Sequence, residues 1–136
     1  MKIVQPETFP KPRGYSNGIV AEGTVLAIAG QIGWNERGEF DSDELVPQFL
    51  QALDNVLAVV RAAGGEPTSL ISMTIFVTDL DAYRNAGPAL GEGWKARMGR
   101  HYPTMALLGI SGLVEKRAKV EITALAVLPT GTGAAR

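Results

Sequence analysis

From Asp43 to Ala63 the apolar positions Phe49, Ala52, Leu53, Val56, Leu57 and Val60 return at the three- and four-residue spacing of one helical face, with Gln48, Gln51, Asp54 and Arg61 elsewhere on the turn. The pattern predicts an amphipathic helix capped at Asp41, Ser42 or Asp43, with Pro47 tolerated in the first turn. Gly64-Gly65 supplies a positive-φ stop and Pro67 blocks continuation. Ser69 to Thr78 (SLISMTIFVT) is rich in β-branched and aromatic residues and too short for an ordinary helix, which predicts a strand. Thr104 to Ile110 and Lys119 to Leu128 read as two further strands, separated by a turn with Ser111-Gly112 and the charged run EKRAK. Upstream, Ile19-Val20 and Thr24 to Ala29 read as a hairpin joined through AEG, with Gly23 at the positive-φ turn position and Gly30-Gln31 ending the second strand. The polar stretch GWNERGEFDS reads as a surface loop.

The segment after Asp79 is weaker. Tyr83, Leu90, Trp94 and Met98 share a helical face, but Gly87, Pro88, Gly91 and Gly93 oppose an ordinary helix, each glycine by about 1 kcal/mol. A helix broken or starting late near Pro88 is expected. The order β-β-α-β-α-β-β, without strict βαβ repetition, predicts an α+β fold with a mixed sheet and both helices on one face.

The strands are apolar on both sides: Val25, Ala27 and Ala29 against Leu26 and Ile28, and Met105 and Leu107 against Ala106, Leu108 and Ile110. Two helices cover one face of such a sheet, so the other is expected to be buried against sister subunits.

Composition narrows the class. With 136 residues, 46% hydrophobic and 20% charged, the chain is expected to form a single domain over residues 1–128, followed by a loose polar tail over 129–136. A net charge of -1 gives no field to attract nucleic acid or an anionic membrane. The amino terminus lacks the apolar core of a signal peptide, and no apolar run reaches the ~20 residues of a membrane span, so a soluble, cytoplasmic protein is expected.

Much familiar chemistry is missing. Without cysteine there are no disulfides, thiol nucleophiles or cysteine-held metals, and His101 alone cannot build a histidine metal triad, so no metal is expected. Gly109-Ile110-Ser111-Gly112 is not a nucleophile elbow, and Gly91-Glu92-Gly93 lies inside the weak helix rather than between a strand and a helix. Lys116-Arg117-Ala118-Lys119 is a short basic turn without interleaved aromatics. His101 would act as an acid or base only if it faced a cleft. Glu121 is more informative. It sits within the apolar strand VEITALAV and alternates with Thr123, Leu125 and Val127, so a neighbouring subunit closing over that face would make it a candidate proton carrier. On an open face it would simply be solvated.

Across Tyr15 to Val127 the sequence resembles the RidA/YjgF/YER057c family of enamine/imine deaminase-like proteins. The likeness runs through Gly14-Tyr15-Ser16, Ala29-Gly30-Gln31-Ile32, Gln51-Ala52-Leu53-Asp54-Asn55-Val56, Thr74-Ile75-Phe76-Val77-Thr78-Asp79-Leu80, Tyr102-Pro103-Thr104 and Val120-Glu121-Ile122. It implies a chorismate-mutase-like α+β fold, a homotrimer with clefts between subunits, and cofactor-free hydrolysis of small imines such as 2-iminobutanoate and 2-iminopropanoate. It further implies that Glu121 activates the attacking water and Tyr15 orients the ligand, with Met105, Ala29, Gly30, Gln31, Gly87 and Thr104 lining the cleft. Three of these positions depart from the family pattern. The arginine of its Pro-Ala-Arg-Ser motif is Met105 here, the serine of its Ser-Gly-Gln motif is Ala29, and the asparagine of its second helix aligns near Gly87. A guanidinium grips a carboxylate through two charge-assisted hydrogen bonds; a thioether offers an apolar wall. The expected activity is therefore a deaminase or related hydrolase acting on a less acidic or larger, more apolar metabolite. The alternatives are a non-catalytic small-molecule-binding trimer and, against the neutral charge, an endoribonuclease.

Overall fold

A computed structural model describes residues 1–130. The elements are β1 (Lys2–Val4), β2 (Gly18–Val20), β3 (Thr24–Ile32), α1 (Leu45–Ala62), a 3-10 turn (Pro67–Ser69), β4 (Leu70–Val77), α2 (Leu80–Arg84), α3 (Pro88–Met98), β5 (Thr104–Gly109) and β6 (Val120–Leu128). Four strands form one mixed sheet in the order β3-β6-β4-β5, where only β4 and β5 run parallel. This is the expected α+β architecture. The tail expected over 129–136 lies, from residue 131 onward, outside the described residues.

The predicted hairpin does not form. β2 pairs with β1 in a separate two-stranded sheet, Val20 opposite Lys2, while Thr24 of β3 sits opposite Leu128 of β6. The AEG turn therefore moves the chain from one sheet to the other. Gly23 does have a positive φ of 146°, for another reason: a Cβ there would overlap the Leu128 carbonyl at the end of β6. β3 also continues past Ala29 to Ile32 instead of ending at Gly30-Gln31, because a bulge absorbs the change of register.

Helix α1 lays Phe49, Ala52, Leu53, Val56, Leu57 and Val60 against the inner faces of β3 and β6. Each such large side chain contributes about 1.5–3 kcal/mol on burial. The helix starts later than the expected caps, at N-cap Glu44. The Asp43 carboxylate is taken by Arg117 Nε at 2.9 Å, and the Ser42 hydroxyl accepts from the Glu44 N–H at 3.0 Å. Gln48 is fully buried rather than on the polar side. Its amide nitrogen donates to the carbonyls of Ser42 (2.9 Å) and Arg117 (3.0 Å), and its oxygen accepts from the Lys119 N–H at 2.7 Å. This satisfied amide ties the start of α1 to the entry of β6.

The weak segment breaks as expected, into α2 and α3, with Gly87 as the α3 N-cap (φ 73°) and Pro88 as its first residue. Packing explains one of the opposing glycines, since a Cβ on Gly93 would stand 2.5 Å from Leu50 of α1. Arg97 fastens the same contact, pairing with Asp54 at 2.7 and 3.2 Å and donating to the Gly93 carbonyl at 2.9 Å.

Apart from Ile32 and Leu128, the buried strand side chains belong to one core on the helix side. The other side of the sheet stays open and carries Val25 (65% exposed), Leu125 (41%) and Leu108 (45%) with Ala27, Phe76 and Val127. The two-faced apolar character read from the sequence is therefore real.

Candidate functional site

Alternation along β6 buries Val120, Ile122 and Ala124 and turns Glu121 to the open side, between Ile32 of β3 and Phe76 of β4 in register. On β3, Ala29 and Gly30 together oppose the single residue Thr123, forming the bulge. The Glu121 side chain lies across this bulge: a Cβ built on Gly30 would be 2.7 Å from its Cδ and 2.9 Å from its Oε2. Gly30 is thus the seat of the carboxylate, and a larger residue would displace it. The Gln31 amide donates to the Ala29 carbonyl at 3.1 Å, bracing the same bulge. Among the described residues, Glu121 makes no hydrogen bond or ion pair that would occupy its oxygens.

Met105 lies on the opposite face. On edge strand β5 it pairs in register with buried Met73 of β4, and it lines a cavity of about 500 Å³ on the helix side. Gly87 lines the same cavity, as does Gly14, the neighbour of half-exposed Tyr15. The loop carrying Tyr15 is pinned there, since the Ser16 hydroxyl donates to the Tyr102 carbonyl at 2.6 Å and its N–H to the Pro103 carbonyl at 3.1 Å. Thr104 sits in register with Ser72 and spends its hydroxyl on the Ile71 carbonyl at 2.9 Å.

The sequence-read residues therefore form two groups on opposite faces of the sheet: Glu121 with the bulge residues Ala29 and Gly30 on the open face, Gln31 following the bulge in register with Ile122, and Met105 with Gly87, next to Tyr15, on the helix face. Within one chain they do not converge.

Two other candidates resolve into structural roles. His101 is buried, and its Nε2–H donates to the Leu70 carbonyl at 2.6 Å, which holds the entry to β5 against the start of β4. It faces no cleft. In the basic turn, Arg117 pairs with Asp43 and stacks 5.5 Å from the centre of the Phe40 ring, so it is no free phosphate contact. The Arg117 hydrogen bond holds the Asp43 carboxyl below the usual carboxylate range, and the same bond raises the guanidinium.

Sequence reading missed the walls of the Met105 cavity. Trp94 stacks nearly parallel on Tyr102 (6.1 Å, 7°), Phe49 packs on Tyr83 (6.5 Å), and both pairs border the space. Their helical spacing had marked Tyr83 and Trp94 as a core stripe, and nothing in that pattern separates a core from a cavity wall. The indole N–H of buried Trp94 has no hydrogen-bond partner among the described residues. Among these residues no group of three or more His, Cys, Asp or Glu side chains is placed to hold a metal, and no helix is long and apolar enough to cross a membrane.

Nearly the whole chain is similar to known proteins. The family model described as endoribonuclease L-PSP matches residues 7–128. The 2-iminobutanoate/2-iminopropanoate deaminase of Escherichia coli is 32% identical over 128 residues, spanning 93% of this chain and 97% of that protein. The Rid-family protein YyfB of Yersinia pestis, of unknown function, superposes with a TM-score of 0.80 at 27% identity, covering 93% of this chain and 98% of the other. Escherichia coli TdcF, solved with bound serine, superposes with a TM-score of 0.68 at 30% identity over 94% of this chain and 99% of its own.

Proposed function

Because the chain belongs to the endoribonuclease L-PSP family, that of the RidA/YjgF/YER057c proteins, we propose that it is a cofactor-independent imine or enamine deaminase, or a closely related hydrolase, acting in clefts between the subunits of a cytoplasmic homotrimer. One observation carries this reading: Glu121 and the Met105 cavity occupy opposite faces of one sheet, so a cleft containing both requires a second copy. The apolar open face around Glu121 supplies the surface for that copy.

In the proposed reaction, water adds to the C=N carbon while Glu121 takes its proton and delivers it toward nitrogen. Collapse of the carbinolamine breaks the C–N bond and yields a carbonyl compound and ammonia. The unoccupied oxygens of Glu121 and its seat on Gly30 support this role. Tyr15, at the cavity edge, orients the ligand. Met105, Gly87, Ala29, Gly30, Gln31 and Thr104 belong to the cleft, with Thr104 acting through the backbone since its hydroxyl is engaged.

Met105 offers no charge to a ligand carboxylate, so 2-iminobutanoate and 2-iminopropanoate are expected to be poor substrates. The test generates these imines with a pyridoxal-phosphate dehydratase and follows their decay, alongside light scattering for assembly. Slow decay with a trimer is expected; a monomer at micromolar concentration defeats the shared cleft. Once a turned-over imine is found, Glu121→Gln should abolish turnover and leave assembly intact, whereas full activity would make Glu121 structural. A non-catalytic binding trimer is the second reading. It is favoured by the lost arginine and by the bound serine of TdcF.

A further inference from the structure

The Met105 cavity has aromatic walls and a single charge. The pairs Trp94–Tyr102 and Phe49–Tyr83 both line it, together with Met105. Among the described residues, Arg84 at the end of α2 is the only charged side chain lining the space, and at 66% exposure it stands at the rim. Its one ion pair is a single contact, Nη1 to Asp81 Oδ1 at 3.3 Å, with Asp81 85% exposed. Such a pair is weak and screened, so the guanidinium can turn to another anion at little cost. Gly87 and Gly91, which also line the space, leave it open, because a Cβ on either would meet nothing within 4 Å.

We propose that this cavity takes the aromatic body of a carboxylic acid, the ring against the Trp94–Tyr102 and Phe49–Tyr83 pairs and the carboxylate held at the rim by Arg84. The positive charge that the strand position has lost to Met105 is then replaced from a helix end, farther out. Aromatic faces and a thioether favour a ring inside, and a planar guanidinium favours a carboxylate outside. A small aliphatic acid reaching Arg84 would leave the walls unfilled, which separates this ligand class from short imino acids. The inference rests on the deaminase reading only in treating the cavity as part of the substrate cleft.

The test reads binding, not turnover. In the full chain carrying Trp34→Phe, emission from Trp94 is titrated with 3-phenylpropionate, with its neutral amide and with propionate, and calorimetry checks each affinity. Saturable quenching by the phenyl acid is expected, with the amide weaker by about tenfold and propionate silent at the same concentrations. Arg84→Gln should remove the preference for acid over amide. Gly91→Leu adds a bulky side chain at a cavity-lining helical position where a Cβ meets nothing within 4 Å, so it should abolish binding without lowering the thermal midpoint. Equal affinity for acid and amide in the parent, an unchanged preference in Arg84→Gln, or binding that survives Gly91→Leu would each overturn the proposal. If the acid binds as expected but no imine is ever hydrolysed, the deaminase reading fails and this one stands. If imines are hydrolysed but the phenyl acid does not bind, the reverse holds.

Discussion

Gln48→Leu tests whether the buried amide at the start of α1 organises the chain. Helical periodicity alone puts Gln48 off the apolar stripe, where leucine would be harmless. The structure instead gives its amide three hydrogen bonds, to the Ser42 and Arg117 carbonyls and from the Lys119 N–H, at 2.7–3.0 Å. Leucine fills the volume but pairs with none of these groups. Each lost bond costs about 0.5–1.5 kcal/mol where water can reach the partner and about 1–3 kcal/mol where it cannot. Three such bonds at about 1–2 kcal/mol each, less about 1–2 kcal/mol recovered by burying an apolar side chain, leave a net loss of about 2–4 kcal/mol. For a domain of this size that lowers the thermal midpoint by about 7–14 °C. Urea unfolding at fixed protein concentration is the assay, because assembly would make the midpoint concentration-dependent. Gln51→Leu is the control: Gln51 is half-buried and makes one bond, to Asn55 at 3.0 Å, so its loss should stay below about 1 kcal/mol. Equal losses in the two variants, or a loss under 1 kcal/mol for Gln48→Leu, would refute the assigned role.

Three further outcomes are expected. Gly30→Ala should leave the unfolding midpoint within about 1 kcal/mol of the parent, since only a flexible carboxyl must retreat, yet cut turnover by about 100-fold, because a shift near 1 Å at a proton-transfer group is that costly; kcat with a midpoint determination checks both. Met105→Arg should increase 2-imino acid hydrolysis if Tyr15 and Glu121 already stand in working geometry, measured by decay of dehydratase-generated imine; no gain would leave Ala29 and Gly87 as the remaining obstacles. Asp43→Asn should flatten the acid side of the stability profile: the Asp43 carboxyl is held below its ordinary value by its hydrogen bond to Arg117, so its contribution is fully present above about pH 4 and is lost only as pH falls below that toward the lowered folded value, which midpoints across about pH 2–6 will read.

What was legible in the sequence was whatever repeats. The stripe from Phe49 to Val60 gave α1, and the alternation of Val120, Ile122, Ala124 and Ala126 against Glu121, Thr123, Leu125 and Val127 gave both faces of β6. Strand partnership carries no such local mark. Ile19-Val20 and Thr24 to Ala29 look like a hairpin because a short turn separates them, and only the pairing of Val20 with Lys2 and of Thr24 with Leu128 shows that they belong to different sheets. Gln48 and His101 were hidden for a related reason. Both are polar residues whose burial is offset by hydrogen bonds to chain distant in sequence, at Arg117 and Leu70. Arg84 and the aromatic pairs were hidden because a cavity is defined by what does not fill it.

The position of the bulge links assembly to chemistry in the proposed trimer. Glu121 shares its face with Val25, Ala27, Leu125 and Val127, so the apolar contact that recruits a second subunit also shuts water away from the carboxylate. Gly30 lets that carboxylate lie flat on the sheet, where it does not hold the neighbour off. On the helix face the Met105 cavity forms the other half of the proposed cleft, and its lining residues Gly87 and Gly91 leave open space there. In the proposed trimer, substitution at Met105, Gly87 and Arg84 would alter which ligand is held, while the open face would carry the proposed proton-transferring group and the assembly surface as one unit.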